Sequence, residues 1–287
     1  MEKRTDTPLI DLIEERLRAE DLAIPVFPAA AASIQREMGQ EEPDLKKVER
    51  YILSDQALTS EVLKTANSAF FAGLEKVTDL RAAVVRLGGR EVLNLVMTAS
   101  QKNQYTFAEP ELQEVADALW RHALGTAVGA RWLARRTGHR SLATEAFLAG
   151  LLHDVGKLFL LTVLDDLRRR GRTGFNPQGH LVREVLDRLH TREGARLLQL
   201  WNLPDAYREI AGGHHDPELD RQDILGALVR QANLTCHKLG IGMKSEPHLL
   251  LGGTMEAQQL RLTEITTAEM EVELEDAMAR LCPTPQS

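Results

Sequence analysis

At 287 residues the chain is long enough to bury one large core or two smaller ones. Hydrophobic residues at 43% and charged residues at 27% exclude a disordered or fibrous chain. A net charge of −7 and aromatic residues at only 5% exclude a broadly basic nucleic-acid surface and an aromatic platform for single strands.

The opening stretch MEKRTDTPLIDLIEERLR lacks the uninterrupted apolar segment of a secretory signal. Nowhere do about 18 apolar residues run together, so no membrane span is expected. Cys236 and Cys282 are the only cysteines, and neither belongs to a C-x-x-C pair. That usage fits a reducing, cytoplasmic setting better than a disulfide framework.

Apolar positions at helical spacing predict a first helix over residues 8–20. Pro25 and Pro28 break the pattern before a second helix over AAAASIQREM. Pro43 and Asp44 open a third, reaching Tyr51 and Ile52. A fourth runs from Asp55 to about Ala66, with Leu58, Val62 and Leu63 inward. In NSAFFAG (67–73), Asn67 and Ser68 form a turn ahead of packing by Phe70 and Phe71. Residues 79–100 read as two helices around Gly88 and Gly89. A DNA-reading helix-turn-helix shares that outline, but the second segment offers a nucleic acid little beyond Arg90 and Asn94, so packed helices are expected.

Helical patterns resume over 110–136, 141–152 and 158–170. After a loop through GRTGFNPQG (171–179) they continue over 180–200, 204–211 and 220–239. Trp201 and Pro204 mark a helix stop anchored by an indole. Residues 241–254 are irregular. From Glu256 to Asp276 the chain carries seven acidic residues against Arg261 alone. There Thr266 and Glu269 have capping-box spacing, and Met270, Leu274, Met278 and Leu281 form an apolar stripe. No stretch sustains two-residue alternation, so the expected fold is all-α. The expected parts are an N-terminal helical subdomain (1–112), a second helical subdomain (113–240) and a C-terminal extension with an acidic helix (241–287).

LLHDVGKL (151–158) sets His153 beside Asp154 within an apolar run, where ionisable neighbours are costly unless paired. Other helices or helix ends add His122, His190, His214 and His215. Imidazole nitrogen with carboxylate oxygen suits Fe, Zn, Mn or Ni better than Ca or Mg. Adjacent helical residues point about 100° apart, so His153 and Asp154 address neighbouring ions, or one ion where the turn is distorted. Spacing alone also leaves each imidazole a hydrogen-bonded structural role. A Ser-His-Asp or Cys-His hydrolase has no nucleophile context here: Cys236 and His237 face different sides of one helix.

In chain order, IPVFP, ILSDQALTSEVLKTANSAFF, AVVRLGGREVLNLV, LLHDVGKL, HTREGARLLQLWNLPDAYREIAGGHH and LVRQANL resemble the HDOD family, a divergent branch of the HD-domain metal-dependent phosphohydrolases. The resemblance covers about residues 20–240. It implies an all-helical fold with an HD-like second subdomain and a role in bacterial signalling or regulation. By the same resemblance His122 is the early ligand and His153 and Asp154 the defining pair. His190, His214 and His215 then fall where dinuclear or trinuclear relatives with cyclic-dinucleotide phosphodiesterase activity carry further histidine ligands.

Two departures stand out. Catalytic HD proteins supply a late Asp where this chain has Asn233, a neutral and weaker donor that cannot act as a general base. The Gly-Tyr-Pro signature of the cyclic-di-GMP-hydrolysing branch is absent, since TREGARLL follows His190. The expected function is therefore regulatory, exerted through a signalling protein partner, with a divalent metal in a structural or sensory role and no organic cofactor. The alternative is a phosphohydrolase acting on a nucleotide, a cyclic dinucleotide or another phosphate ester. In that case Asp154 would orient a metal-bound water and Lys157 would meet phosphate charge, while Gly156 serves helix packing.

Overall fold

The computed structural model describes residues 8–67, 77–172, 175–216 and 222–282, and no strand occurs among them. Contacts divide the chain into two compact units, residues 26–104 and residues 1–25 together with 105–287. Helix α1 (Leu9–Leu17) belongs to the larger unit. The smaller unit holds α2 (Ala29–Met38), α3 (Leu45–Leu53), α4 (Gln56–Ala66), α5 (Leu80–Leu87) and α6 (Gly89–Lys102).

Aspartates fix where three of these helices begin. Asp44, Asp55 and Asp79 each accept a backbone N–H from the first turn, satisfying donors that have no intrahelical partner. The apolar faces close inward: Ile34, Val48, Ile52, Val62 and Val96 are at most 1% exposed. Of the inward positions expected on α4, Leu58 and Val62 are buried and Leu63 is half-buried. Asn67 ends α4 by donating to the Leu63 and Val77 carbonyls and accepting from the Val77 N–H, which ties the two ends of the following segment together. Ser68, Phe70 and Phe71 lie outside the described residues.

The larger unit continues with α7 (Pro110–Arg136), α8 (Ala143–Leu152), α9 (Val155–Arg169), α10 (His180–Leu200), α11 (Asp205–Gly213), α12 (Ile224–Lys238), α13 (Met255–Gln259) and α14 (Glu264–Leu281). Helix α7 packs on α8, α12 and α14, α9 packs on α10, and α11 bridges α8 and α10. Residues 140–169 are apolar and long enough to cross a membrane, yet 89% of their most apolar window is buried inside the fold. That stretch is also broken between α8 and α9.

The larger unit takes in residues 1–25 and 105–287. Helix α1 sits on α9 and α10 because Arg16 donates to Asp166 and Asp21, while Arg170 closes the same ring. Trp201, which ends α10, donates its indole N–H to the Pro25 carbonyl at 2.8 Å. The C-terminal residues are likewise part of this unit: Met270, Leu274 and Met278 are buried as α14 lies on α7. Leu281, the last of the expected stripe, is 53% exposed. Thr263, one turn before Thr266, caps α14 by accepting the Thr266 N–H.

Gly156 sets how closely α9 meets α10. A Cβ there would run into the His190 backbone and stand 2.6 Å from the Gly194 nitrogen. Two backbones in direct contact leave no room for relaxation. Gly156→Ala is therefore expected to cost about 3 kcal/mol or more, at the upper end of overpacking. Gly213→Ala, where an added Cβ meets nothing within 4 Å, should change stability by no more than about 1 kcal/mol. Urea unfolding of both variants checks this, and equal midpoints would contradict it.

Candidate metal centre

The break between α8 and α9 turns two adjacent side chains toward one point. His153 ends α8 with helical angles, whereas Asp154 starts α9 at φ −105° and ψ 14°. The 100° divergence of an undistorted helix is thereby lost, and His153 Nε2 lies 3.5 Å from Asp154 Oδ2. Helix α7 brings His122 Nε2 to 3.5 Å from the same oxygen. From the other side, α10 and the end of α11 bring His190 and His214 Nε2 to 3.4 Å from Asp154 Oδ1. None of the five residues is more than 4% exposed.

Hydrogen bonds decide which way each ring presents its lone pair. His122 Nδ1 lies 3.0 Å from the Ile241 carbonyl, His153 Nδ1 2.7 Å from that of Gly150, and His190 Nδ1 2.9 Å from that of Leu186. His214 Nδ1 lies 3.2 Å from the Ile210 carbonyl. A carbonyl only accepts, so each Nδ1 carries the proton and donates it. In a neutral ring Nε2 is then the free lone pair, and all four Nε2 atoms lie 3.4–3.5 Å from the oxygens of one carboxylate. His122 Nε2, His153 Nε2 and Asp154 Oδ1 have no hydrogen-bond partner although they are buried. His190 and His214 face each other Nε2 to Nε2 at 3.4 Å.

The charge states reinforce this arrangement. Burial pushes His122 down and His153 well down, His190 to about 4 and the more exposed His215 to about 3, so all are neutral donors near pH 7. Burial alone would raise Asp154, but the Lys157 ammonium beside it holds it well below the usual carboxylate range. The Lys157 ammonium donates to Asp154 Oδ2 at 2.8 Å. One cation thus faces one carboxylate and a ring of lone pairs, an arrangement that attracts further positive charge.

These donors fit a metal ion. The residues form two groups that share Asp154: Asp154, His190, His214 and His215, and His122, His153 and Asp154. Two donors about 2.1 Å from one ion at the tetrahedral angle stand about 3.4 Å apart, which is the Nε2-to-Oδ spacing seen on both sides. Imidazoles held by Nδ1–H bonds to carbonyls are the usual outer support of metal-ligating histidines. The five histidines singled out from the sequence as metal ligands thus fall in groups that share the Asp154 carboxylate.

Asn233 belongs to neither group. It is buried on α12 with its Oδ1 unpartnered, one helical turn before His237 and so on the same face. His237 was not legible as a site residue. Its ring stacks on His122 with centroids 5.1 Å apart, and burial pushes it to about 3. The only signal was its four-residue step from Asn233. The strap after α12 was equally hidden: Gly242, at φ +119°, lies where a Cβ would come 2.8 Å from His122 Cβ. Over the centre opens a cavity of about 440 Å³, lined in part by His122, Asp154, Lys157, Arg183, His237 and Lys244.

The HDOD domain family matches residues 24–217. An uncharacterised protein of Treponema pallidum is 28% identical over 198 residues, covering 67% of this chain. The chain spans only 38% of the length of that curated relative. Among solved structures, an HDOD domain protein from Geobacter sulfurreducens aligns with TM-score 0.73 and 22% identity over 94% of this chain and 95% of its own. A protein from Shewanella amazonensis, named as a candidate metal-dependent phosphohydrolase, gives 0.70 and 18% over 94% and 97%. A candidate signal transduction protein from Marinobacter aquaeolei gives 0.65 and 23% over 95% of this chain and 59% of its own. At these identities the three structures speak to fold, and they share this helical architecture.

The buried imidazoles also set a pH dependence. Between its ordinary value of 6.5 and its folded value of about 4, His190 is protonated in the unfolded chain but not in the folded one. Stability therefore rises with pH across that window and is lost as pH falls through it. The melting temperature of metal-free protein should drop steadily from pH 6.5 to about 4, and less steeply in His190→Gln. A flat profile over that range would contradict the assignment of neutral rings.

Proposed function

The chain belongs to the HDOD family, and on that premise we propose that it is a cytoplasmic regulatory protein of bacterial signal transduction whose output is a protein contact. A divalent transition metal at Asp154 would hold α7, the α8–α9 junction, α10 and α11 in one arrangement. The nitrogen-rich donor set favours Fe, Zn, Mn or Ni. Binding of such an ion to the folded chain alone stabilises that arrangement, by about 2.7 kcal/mol at a hundredfold excess over Kd.

The observation that carries this reading is the single carboxylate. Asp154 is the only acid in either donor group, it is shared between them, and one of its oxygens already holds Lys157. A bound ion would acidify water and polarise a phosphoryl oxygen. No second carboxylate in these groups stands ready to orient that water or take its proton, and Asn233 cannot do so.

The cavity favours a second reading, a metal-dependent phosphohydrolase. Lys157, Arg183 and Lys244 line it above the centre and suit the oxygens of a phosphate ester. The names carried by the Marinobacter and Shewanella proteins correspond to these two readings, one each.

Metal analysis of protein purified without tag or chelator, followed by turnover assays, separates them. The regulatory reading expects a bound transition metal that is lost in His190→Ala/His214→Ala. It also expects no detectable hydrolysis of cyclic dinucleotides, nucleoside monophosphates or generic phosphodiesters. Turnover near ~1 s⁻¹ that disappears in Asp154→Ala would overturn it.

A further inference from the structure

The two sides of Asp154 are unequal. Oδ1 faces imidazoles alone, His190 and His214 at 3.4 Å each, and with His215 these residues make a four-donor group. Oδ2 faces His122 and His153 at 3.5 Å each, but it also accepts the Lys157 ammonium at 2.8 Å. That ammonium is fixed by sequence as well as by contact. Lys157 lies in the first turn of α9, three residues after Asp154, so the two side chains share a helix face.

We propose that Lys157 stands in for a second metal ion and limits the centre to one. The proposal rests on the metal reading above. The Oδ1 side offers an ion three imidazoles and a carboxylate oxygen, a complete tetrahedral set. The Oδ2 side offers two imidazoles and an oxygen whose charge is already matched by a cation in hydrogen-bond contact. A divalent ion placed there would meet that cation at a few ångströms in a buried site, where like charges are poorly screened. No second carboxylate in either donor group offsets the repulsion.

Lys157 is nevertheless movable. Its side chain is 12% exposed, it lines the cavity, and Asp187 Oδ1 lies 3.8 Å from its ammonium as a second acceptor. Asp187 is 70% exposed, so moving to it would carry the lysine toward solvent and clear Oδ2. The second position is therefore built but closed, and the lysine is the closing element.

Metal titration of the full chain against a chromogenic chelator, with Mn²⁺ and Zn²⁺ as probes, reads this directly as stoichiometry. Wild type should take one ion, and His190→Ala should weaken that ion far more than His122→Ala. Lys157→Met, which keeps an unbranched side chain and removes the charge, should take two, with the second step tightened by about 100-fold or more. Adding His122→Ala to that variant should remove the second ion and leave the first. Lys157→Gln provides an independent uncharged variant should the methionine fail to fold, with circular dichroism as the check. Two ions of like affinity in wild type, or a single ion in both folded variants, would overturn the proposal. Absence of any metal from every folded protein would instead contradict the metal reading itself, and this proposal with it.

Discussion

Four hydrogen bonds from imidazole Nδ1–H to backbone carbonyls organise this molecule's functional end. Each fixes a tautomer, and each tautomer aims an Nε2 lone pair at Asp154. Three of the four acceptors lie three or four residues before the histidine on its own helix. His153 and His214 follow the last residues of α8 and α11, whereas His190 lies within α10. Each of these rings therefore bonds a carbonyl about one turn back on its own helix and directs Nε2 inward. His122 alone takes a distant acceptor, Ile241, across the strap that Gly242 lets close.

That orientation has an energetic consequence. A buried carboxylate is tolerated when protons or cations face it. Here His122, His153 and His190 present lone pairs, and Lys157 presents a charge. Close packing keeps the donors from retreating: Gly156 lets α10 lie on α9 backbone to backbone, which holds His190 opposite Asp154. The helices cannot spread to relieve the crowding without giving up a core in which Leu148, Leu151, Leu152, Leu160 and Leu161 are nearly inaccessible. Each such leucine contributes about 1.5–3 kcal/mol by burial alone. Positive charge is the remaining remedy, which is why the arrangement reads as a cation site.

The helical fold was legible because apolar periodicity and cap residues act locally. Asp44, Asp55 and Asp79 mark helix starts that need no tertiary information. The site residues were legible through the resemblance carried by LLHDVGKL and the later histidine segments, and the structure gathers them around Asp154. What the sequence hid was long-range. Nothing near His237 announces a stack on His122, 115 positions away in the chain. Nothing in α1 announces that Arg16 will reach Asp166 and carry the helix into the larger unit. The spacing of Thr266 and Glu269 imitated a capping box because Thr263, the actual cap, was one more threonine in the same turn. The pairing of Lys157 with Asp154 was within reach, since three-residue spacing predicts it, but its competition with an ion depends on which oxygen it meets.

The account turns on the protonation of four rings, and that is measurable without a metal or a partner. Long-range ¹H–¹⁵N correlation NMR of the histidine side chains in metal-free protein at neutral pH distinguishes Nδ1–H from Nε2–H. His122, His153 and His190 are expected to be neutral with the proton on Nδ1, and His214 to carry a proton on Nδ1. Protons on Nε2, or doubly protonated rings, would mean that these side chains hydrogen-bond to Asp154 as a structural cluster, and would contradict the reading of a centre built for a cation.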